Sequence, residues 1–310
     1  MRNIQNPREV YGRTLVEIGC EYPNVVVLEA DLGKSTMSCY FEDAFPERFF
    51  EMGIAEANMT SFAAGLSLTG KIPFTNSFAV FAAGRAFDQI RQGICIPALN
   101  VRIIGSSCGF SDFGDGSTHQ SIEDVSIMRA LPNMTVLVPA DGNETRVMTR
   151  ALAEYRGPVY MRITRNDLPD VMPEDTPFTA GKPHLIRQGK DCVVFANGQM
   201  VSLALEAAEM VAAEGISLRV VNVSSIKPVD VRALKEMVGG MKGVVTAEEH
   251  VLIGGLASLI HEVIQGMPVS MQSIGIRDIF GQSAHSYDDL LKAYGLTPVD
   301  IADAVRQAMR

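Results

Sequence analysis

Short apolar runs rich in Val and Ile recur between helix-like stretches, and this alternation limits the possible folds more than any other feature of the chain. Val25 to Glu29, Val101 to Gly105, Thr135 to Val138 and Val159 to Thr164 each predict a short strand buried on both faces. Strands of that kind belong to parallel sheets whose crossover helices cover both sides. The pattern returns at Cys192 to Ala196, Leu218 to Val223 and Gly243 to Ala247. Between the two sets lies NDLPDVMPEDTPFTAGKPH, where Pro169, Pro173, Pro177 and Pro183 break regular structure and predict an extended connector. The expected fold is therefore α/β with two domains, 1–168 and 187–310, joined by a linker over 169–186. Each domain is expected to hold a mainly parallel sheet flanked by helices.

A chain of 310 residues suits this division, because domains of about 150 residues bury a substantial core. The net charge of −9 has the wrong sign for nucleic acid, and no Lys/Arg stripe offsets it. No apolar run approaches the ~20 residues needed to cross a bilayer, and the first residues lack the apolar core of a secretion signal. A cytoplasmic location without a membrane span is expected. Cys20, Cys39, Cys95, Cys108 and Cys192 are scattered and never form CxxC, which predicts free thiols and no structural zinc.

Open parallel sheets bind ligands just beyond the carboxyl ends of their strands, and several residues with usable chemistry fall there. GSSCGFSDFGDGSTHQ, Gly105 to Gln120, is a long glycine-containing loop directly after a strand, and such loops are usually functional. Ser117 with Gln120 fits a capping box, which puts His119 in a helix's first turn, where the dipole disfavours its protonation. A packing histidine is the alternative. Asp141 with Glu144 offers a second helix start. In EMGIAEANMTSFAAGLSL, Glu56 falls in the first turn of a small-residue helix between Ala55 and Ala57, an apolar setting in which a carboxyl holds its proton more tightly. It could equally complement the helix N-terminus. Phe78 and Phe81, in IPFTNSFAVFAAGRAFDQIRQGI, share one helical face if that stretch is helical, and Arg85, Asp88 and Arg91 can pair along it. Arg165 follows the strand PVYMRIT at the ligand-binding edge, where its fork suits phosphate or carboxylate, although a surface ion pair would also explain it.

Gly114-Asp115-Gly116 followed by Asn143 imitates the GDG...N motif that holds magnesium and diphosphate in thiamine enzymes. That motif needs its Asp at a strand end and its Asn about one βα unit later. Here both fall elsewhere, and the match is read as coincidence. His250, after TAEE, is read as structural, and His184, His261 and His285 give no usable signal.

Taken in order, GIAEANM, FTNSFAVFAAGRAFDQIR, GFSDFGDGSTHQSIED, PADGNE, ITRNDLP and TAEEHVLIGGLA resemble the pyrimidine-binding and C-terminal domains of transketolase. The resemblance spans nearly the whole chain. It implies that Glu56 touches N1' of the aminopyrimidine of thiamine diphosphate and favours its imino tautomer, and that Phe78 and Phe81 form the wall beside that ring. It further implies that His119 and Asp115 contact sugar hydroxyls, and that Arg165 stands where an arginine binds the sugar phosphate. His119 and Glu56 would be the catalytic pair. Several family positions are altered: Phe113 and Gly114 replace the Gly and Glu of the sugar-binding loop, a third wall aromatic aligns with Gly84, and a second phosphate-binding arginine aligns with Cys39.

The diphosphate-binding domain of transketolases has no counterpart here. The resemblance thus implies a separate N-terminal partner subunit that carries GDG...N and supplies the ligands of Mg2+, with an α2β2 assembly. The implied activity is transfer of a two-carbon ketol unit between sugar-phosphate substrates. The β subunit of a 2-oxo-acid dehydrogenase, a 1-deoxyxylulose-5-phosphate synthase-like enzyme and a non-catalytic regulatory subunit are the alternatives. DGSTHQSIED and TRNDLP favour transketolase over the first, and retention of Glu56 and His119 speaks against the last.

Overall fold

The computed structural model describes residues 3–310. The strands of the first half are β1 (Ile4–Gln5), β2 (Val25–Glu29), β3 (Phe49–Glu51), β4 (Ile72–Phe78), β5 (Arg102–Ser106), β6 (Thr135–Leu137), β7 (Val159–Ile163) and β8 (Leu168–Pro169). Those that follow are β9 (His184–Arg187), β10 (Cys192–Ala196), β11 (Leu218–Asn222), β12 (Ser225–Lys227), β13 (Gly243–Val251) and β14 (Ser270–Ile276). All but β1 and β8, which pair antiparallel as a separate two-stranded sheet, form two mainly parallel sheets flanked by helices, the α/β class that the apolar runs predict. The first sheet has the order β12-β6-β7-β5-β4-β2-β3 and is parallel except at β12. The second has the order β14-β13-β10-β11-β9 and is parallel except at β9. Residues 170–183 contain neither helix nor strand.

Two features depart from the sequence expectations. IPFTNSF is not the start of an aromatic helix: it is β4, a central strand, with Phe78 at its end. Thr75, Asn76 and Ser77 are polar yet buried there. Asn76 is satisfied there: its Nδ2 donates to the Leu28 carbonyl at 3.1 Å, and its Oδ1 accepts from the Tyr11 hydroxyl at 2.6 Å. The second departure is β12, which comes from the second half but pairs antiparallel with β6 of the first sheet and covers that edge.

One apolar cluster therefore runs through both halves, joining Val26, Ile103 and Val136 to Val193, Phe195 and Val244. Each such side chain contributes roughly 1.5–3 kcal/mol on full burial. Polar groups cross the same boundary. Asp141 caps the Gly142–Leu152 helix as the sequence predicts, its Oδ1 accepting from the Glu144 amide at 2.8 Å. The Glu144 carboxyl accepts from Ser224 Oγ at 2.6 Å and Asn222 Nδ2 at 2.9 Å. Burial pushes it up to about 7 despite those bonds.

The strands end in register where the site forms: Phe78 of β4 lies beside Ser106 of β5, which lies beside Ile163 of β7. Among the described residues no helix is long and apolar enough to cross a membrane.

Candidate active site

Four elements meet at this carboxyl edge. Glu56 is the first residue of the Glu56–Leu68 helix and its side chain is only 3% exposed. Ala55, at the N-cap, cannot accept from the first-turn amides. The pocket is not uniformly apolar, however. Arg85 does not pair along its own helix with Asp88 and Arg91. Residues 81–85 form a wider π-type turn, and the Arg85 guanidinium reaches Glu56, with Nη1 at 3.0 and 3.3 Å from the two carboxylate oxygens. The same guanidinium lies over the Phe81 ring, 4.0 Å from its centroid.

The Phe78 and Phe81 rings lie side by side, although one residue ends a strand and the other opens the turn. Their rings are 6.1 Å apart and 18° from parallel. His119 stands edge-on to both, at 6.2 Å from Phe78 and 5.3 Å from Phe81. His119 is not in the first turn of a helix. Gly116–Thr118 form a single 3-10 turn that His119 closes, and the following α-helix begins only at Asp124. The Ser117/Gln120 capping box does not form, because the Gln120 amide instead donates to the Gln282 carbonyl at 3.0 Å. The dipole argument for His119 is lost with the helix. A Cβ at Gly84, the altered wall position, would meet nothing within 4 Å.

The sugar-contact candidates gather around a residue that the sequence reading passed over. Asp112 is buried, and its Oδ2 accepts from Arg165 Nη1 at 3.0 Å. Burial raises its pKa first, opposed by the Arg165 charge, and the nearby Asp115 and His119 act on it as well. Asp115, Arg165 and His119 are thus brought into one neighbourhood.

Arg8 is the second omission. It lies in the first turn of the Pro7–Glu21 helix, which Asn6 caps by accepting from the Arg8 amide at 3.1 Å. Arg8 Nη1 donates to the Ser35 carbonyl at 2.7 Å. Its pKa is lowered by burial first and then by the charge of Arg165, so two guanidinium groups stand close together. The alignment with Cys39 suggested that one phosphate-binding cation was lost. Arg8 brings a cation near Arg165 from another element, its signal in the sequence being only an arginine just inside a capped helix.

The C-terminal half clamps the loop from outside. Phe110 N donates to Glu249 Oε1 at 2.7 Å, and Ala284 N donates to the Phe113 carbonyl at 2.9 Å. His250 instead meets the Asp124–Arg129 helix that follows the loop, accepting from Ser126 N at 3.3 Å, and burial lowers it to about 4. Asn143, the coincidental partner of Asp115, uses its amide inside the fold, accepting from Gln5 Nε2 and donating to the Met172 carbonyl, both at 2.9 Å. No group of three or more His, Cys, Asp or Glu side chains that could hold a metal is present among the described residues.

Residues 5–171 match the family model of the transketolase pyrimidine binding domain, and residues 181–301 match that of the transketolase C-terminal domain. A Methanocaldococcus jannaschii protein named as a transketolase C-terminal section is 43% identical over 98% of this chain and 96% of its own. The 6-deoxy-6-sulfo-D-fructose transketolase subunit of a Clostridium species is 39% identical over 97% of this chain and 93% of its own. A solved structure described as a split gene transketolase, inactive beta4 tetramer, is 48% identical and superposes with a TM-score of 0.89, covering 98% of this chain and 97% of that one.

Proposed function

Because the chain belongs to the transketolase family, we propose that it is the ring-binding and sugar-binding subunit of a split, thiamine-diphosphate-dependent transketolase. It transfers a two-carbon ketol unit from a ketose to an aldose and works only when joined to an N-terminal subunit. That subunit supplies the diphosphate and Mg2+ site, and α2β2 is the proposed assembly. The boundary between the chain's own domains is proposed within residues 169–186.

The observation that supports this reading best is the position of Arg85. A planar, nitrogen-bearing group lies on Phe81 while donating to Glu56. An aminopyrimidine makes the same two demands, a stacking face and a carboxyl beside a ring nitrogen, and the guanidinium's place supports the reading that these residues receive such a ring. When bound, the cofactor supplies the carbon nucleophile and the electron sink for C–C cleavage. The chain supplies position and proton traffic. Glu56 holds a hydrogen bond at the ring nitrogen once Arg85 turns outward, a movement its half-exposed side chain permits. Phe78 and Phe81 orient the ring, stacking being worth about 0.5–1.5 kcal/mol beyond area burial. His119 and Asp115 bind the sugar's hydroxyls, with His119 moving a proton at the reacting end. Arg165, with Arg8 behind it, meets the far end of the sugar.

The test is reconstitution. Mixed with a chain bearing the diphosphate motif, thiamine diphosphate and magnesium, this chain should transfer ketol units, while alone it should show no turnover. Glu56→Ala should lower the reconstituted rate by roughly a hundredfold or more. Full activity in that variant would sink the assignment of Glu56.

A further inference from the structure

The far end of the proposed sugar cleft has the wrong balance for a strong phosphate site. Two guanidinium groups and the N-terminus of the Pro7–Glu21 helix provide the positive field that a dianion wants. Each is already engaged in part, although Arg8 Nε is buried without a partner. Arg8 donates to the Ser35 carbonyl, and Asn6, which caps the helix, also donates to Asp167 Oδ1 at 2.9 Å. Arg165 is 41% exposed and could turn to a ligand, but its Nη1 is held by a carboxylate that is nearly buried. Among the described residues, that carboxylate is the one acidic side chain in hydrogen-bond contact with Arg165.

We infer that Asp112 determines which sugars this chain accepts. With its carboxylate on the Arg165 guanidinium it takes the place of a phosphate dianion, so the cleft favours a sugar whose far end is hydroxylated or singly charged. A hydroxyl can donate to Asp112 and accept from Arg165 without breaking the pair. A sulfonate keeps one negative charge and needs only one guanidinium. A phosphate dianion must displace Asp112 or be repelled by it, and like charges at this range oppose binding strongly. This selectivity rests on Arg165 facing the far end of the sugar, as proposed above, but its test needs neither cofactor nor partner.

The purified full-length chain is titrated at about pH 8, where phosphate is mainly dianionic, with inorganic phosphate and with methanesulfonate, by calorimetry. The wild-type chain should bind the two with affinities within about threefold of each other, and Arg165→Gln should change its phosphate affinity little. Asp112→Asn keeps the shape and removes the charge; it should tighten phosphate roughly tenfold and methanesulfonate less. The gain must vanish in Asp112→Asn/Arg165→Gln. Asp112→Ser is the second variant should Asn fail to fold, and the two wild-type comparisons need no change at Asp112 at all. A wild-type chain that already prefers phosphate tenfold through Arg165, an unchanged phosphate affinity in Asp112→Asn, or a gain that survives loss of Arg165 would each overturn the inference. If this pattern holds while reconstitution gives no ketol transfer, the functional assignment fails and the selectivity of the site stands.

Discussion

At the scale of single residues, the site depends on groups that satisfy one another until a ligand arrives. Glu56 and Arg85 show this most directly: the carboxyl is buried, its partner is half-exposed, and the stability of the pair is discounted by solvent. Arg85→Ala should therefore cost the fold under about 1 kcal/mol by urea titration. In the reconstituted enzyme the same change should lower the apparent Kd for thiamine diphosphate, because no side chain is left to expel. A weaker Kd would show that Arg85 holds the ring instead of standing in for it. Glu56, Phe78, Phe81, Asp115, His119 and Arg165 stand out as candidates from sequence, through loops and helix starts next to apolar runs and through the ordered resemblance. Arg8 and Asp112 were not. Neither has a local pattern, and each acquires its meaning from a neighbour more than fifty positions away, or, for Arg8, from Arg165 at the other end of the domain.

At the scale of elements, the loop from Gly105 to Gln120 is stiffer than its length suggests, since the second half grips it at several points. Gly109 sits at φ +61°, and a Cβ there would come within 2.5 Å of the Glu249 carboxyl. Gly109→Ala should cost about 2 kcal/mol or more of unfolding free energy by urea titration. A neutral result would mean that the clamp is dispensable. A second carboxylate, Glu248, closes the amino end of the Leu256–Ile264 helix, its oxygens accepting from the Leu256 and Ala257 amides at 2.7 Å each. Glu248→Ala should cost about 2 kcal/mol, because two buried amides lose their acceptor. The Gly243 to Ala247 run announced β13, whereas its continuation to Val251 was hidden by the charged TAEEH segment. Those charges read as a strand's end in sequence. They are buried because each carboxylate meets backbone amides supplied by other parts of the chain, which no local pattern records. The polar centre of β4 was missed for a similar reason.

At the scale of the whole molecule, buried acids should govern the pH response. Burial first pushes Glu29, Glu144, Glu248 and Glu249 up to about 7. Their protons are held more tightly folded than unfolded, so this contribution is full below the unfolded value of 4.5 and is lost as pH rises through about 7. His250 has the opposite sign: lowered to about 4 from 6.5, it costs stability on acidification below 6.5. Above about pH 6.5 the carboxyls act alone, and urea midpoints should fall from there to about pH 8. A flat profile would mean that these acids are ionised in the fold at little cost. The alternation of runs made the two sheets legible, but not the strand that one half gives to the other. Three residues in mid-sequence, short and ending in a lysine, carry no such signal. That borrowed rib, β12, has a consequence for the integrity of the particle. A protease that nicks the exposed Glu174–Asp175 stretch would cut the backbone without separating its products, and the two fragments should travel together through gel filtration until urea pries them apart.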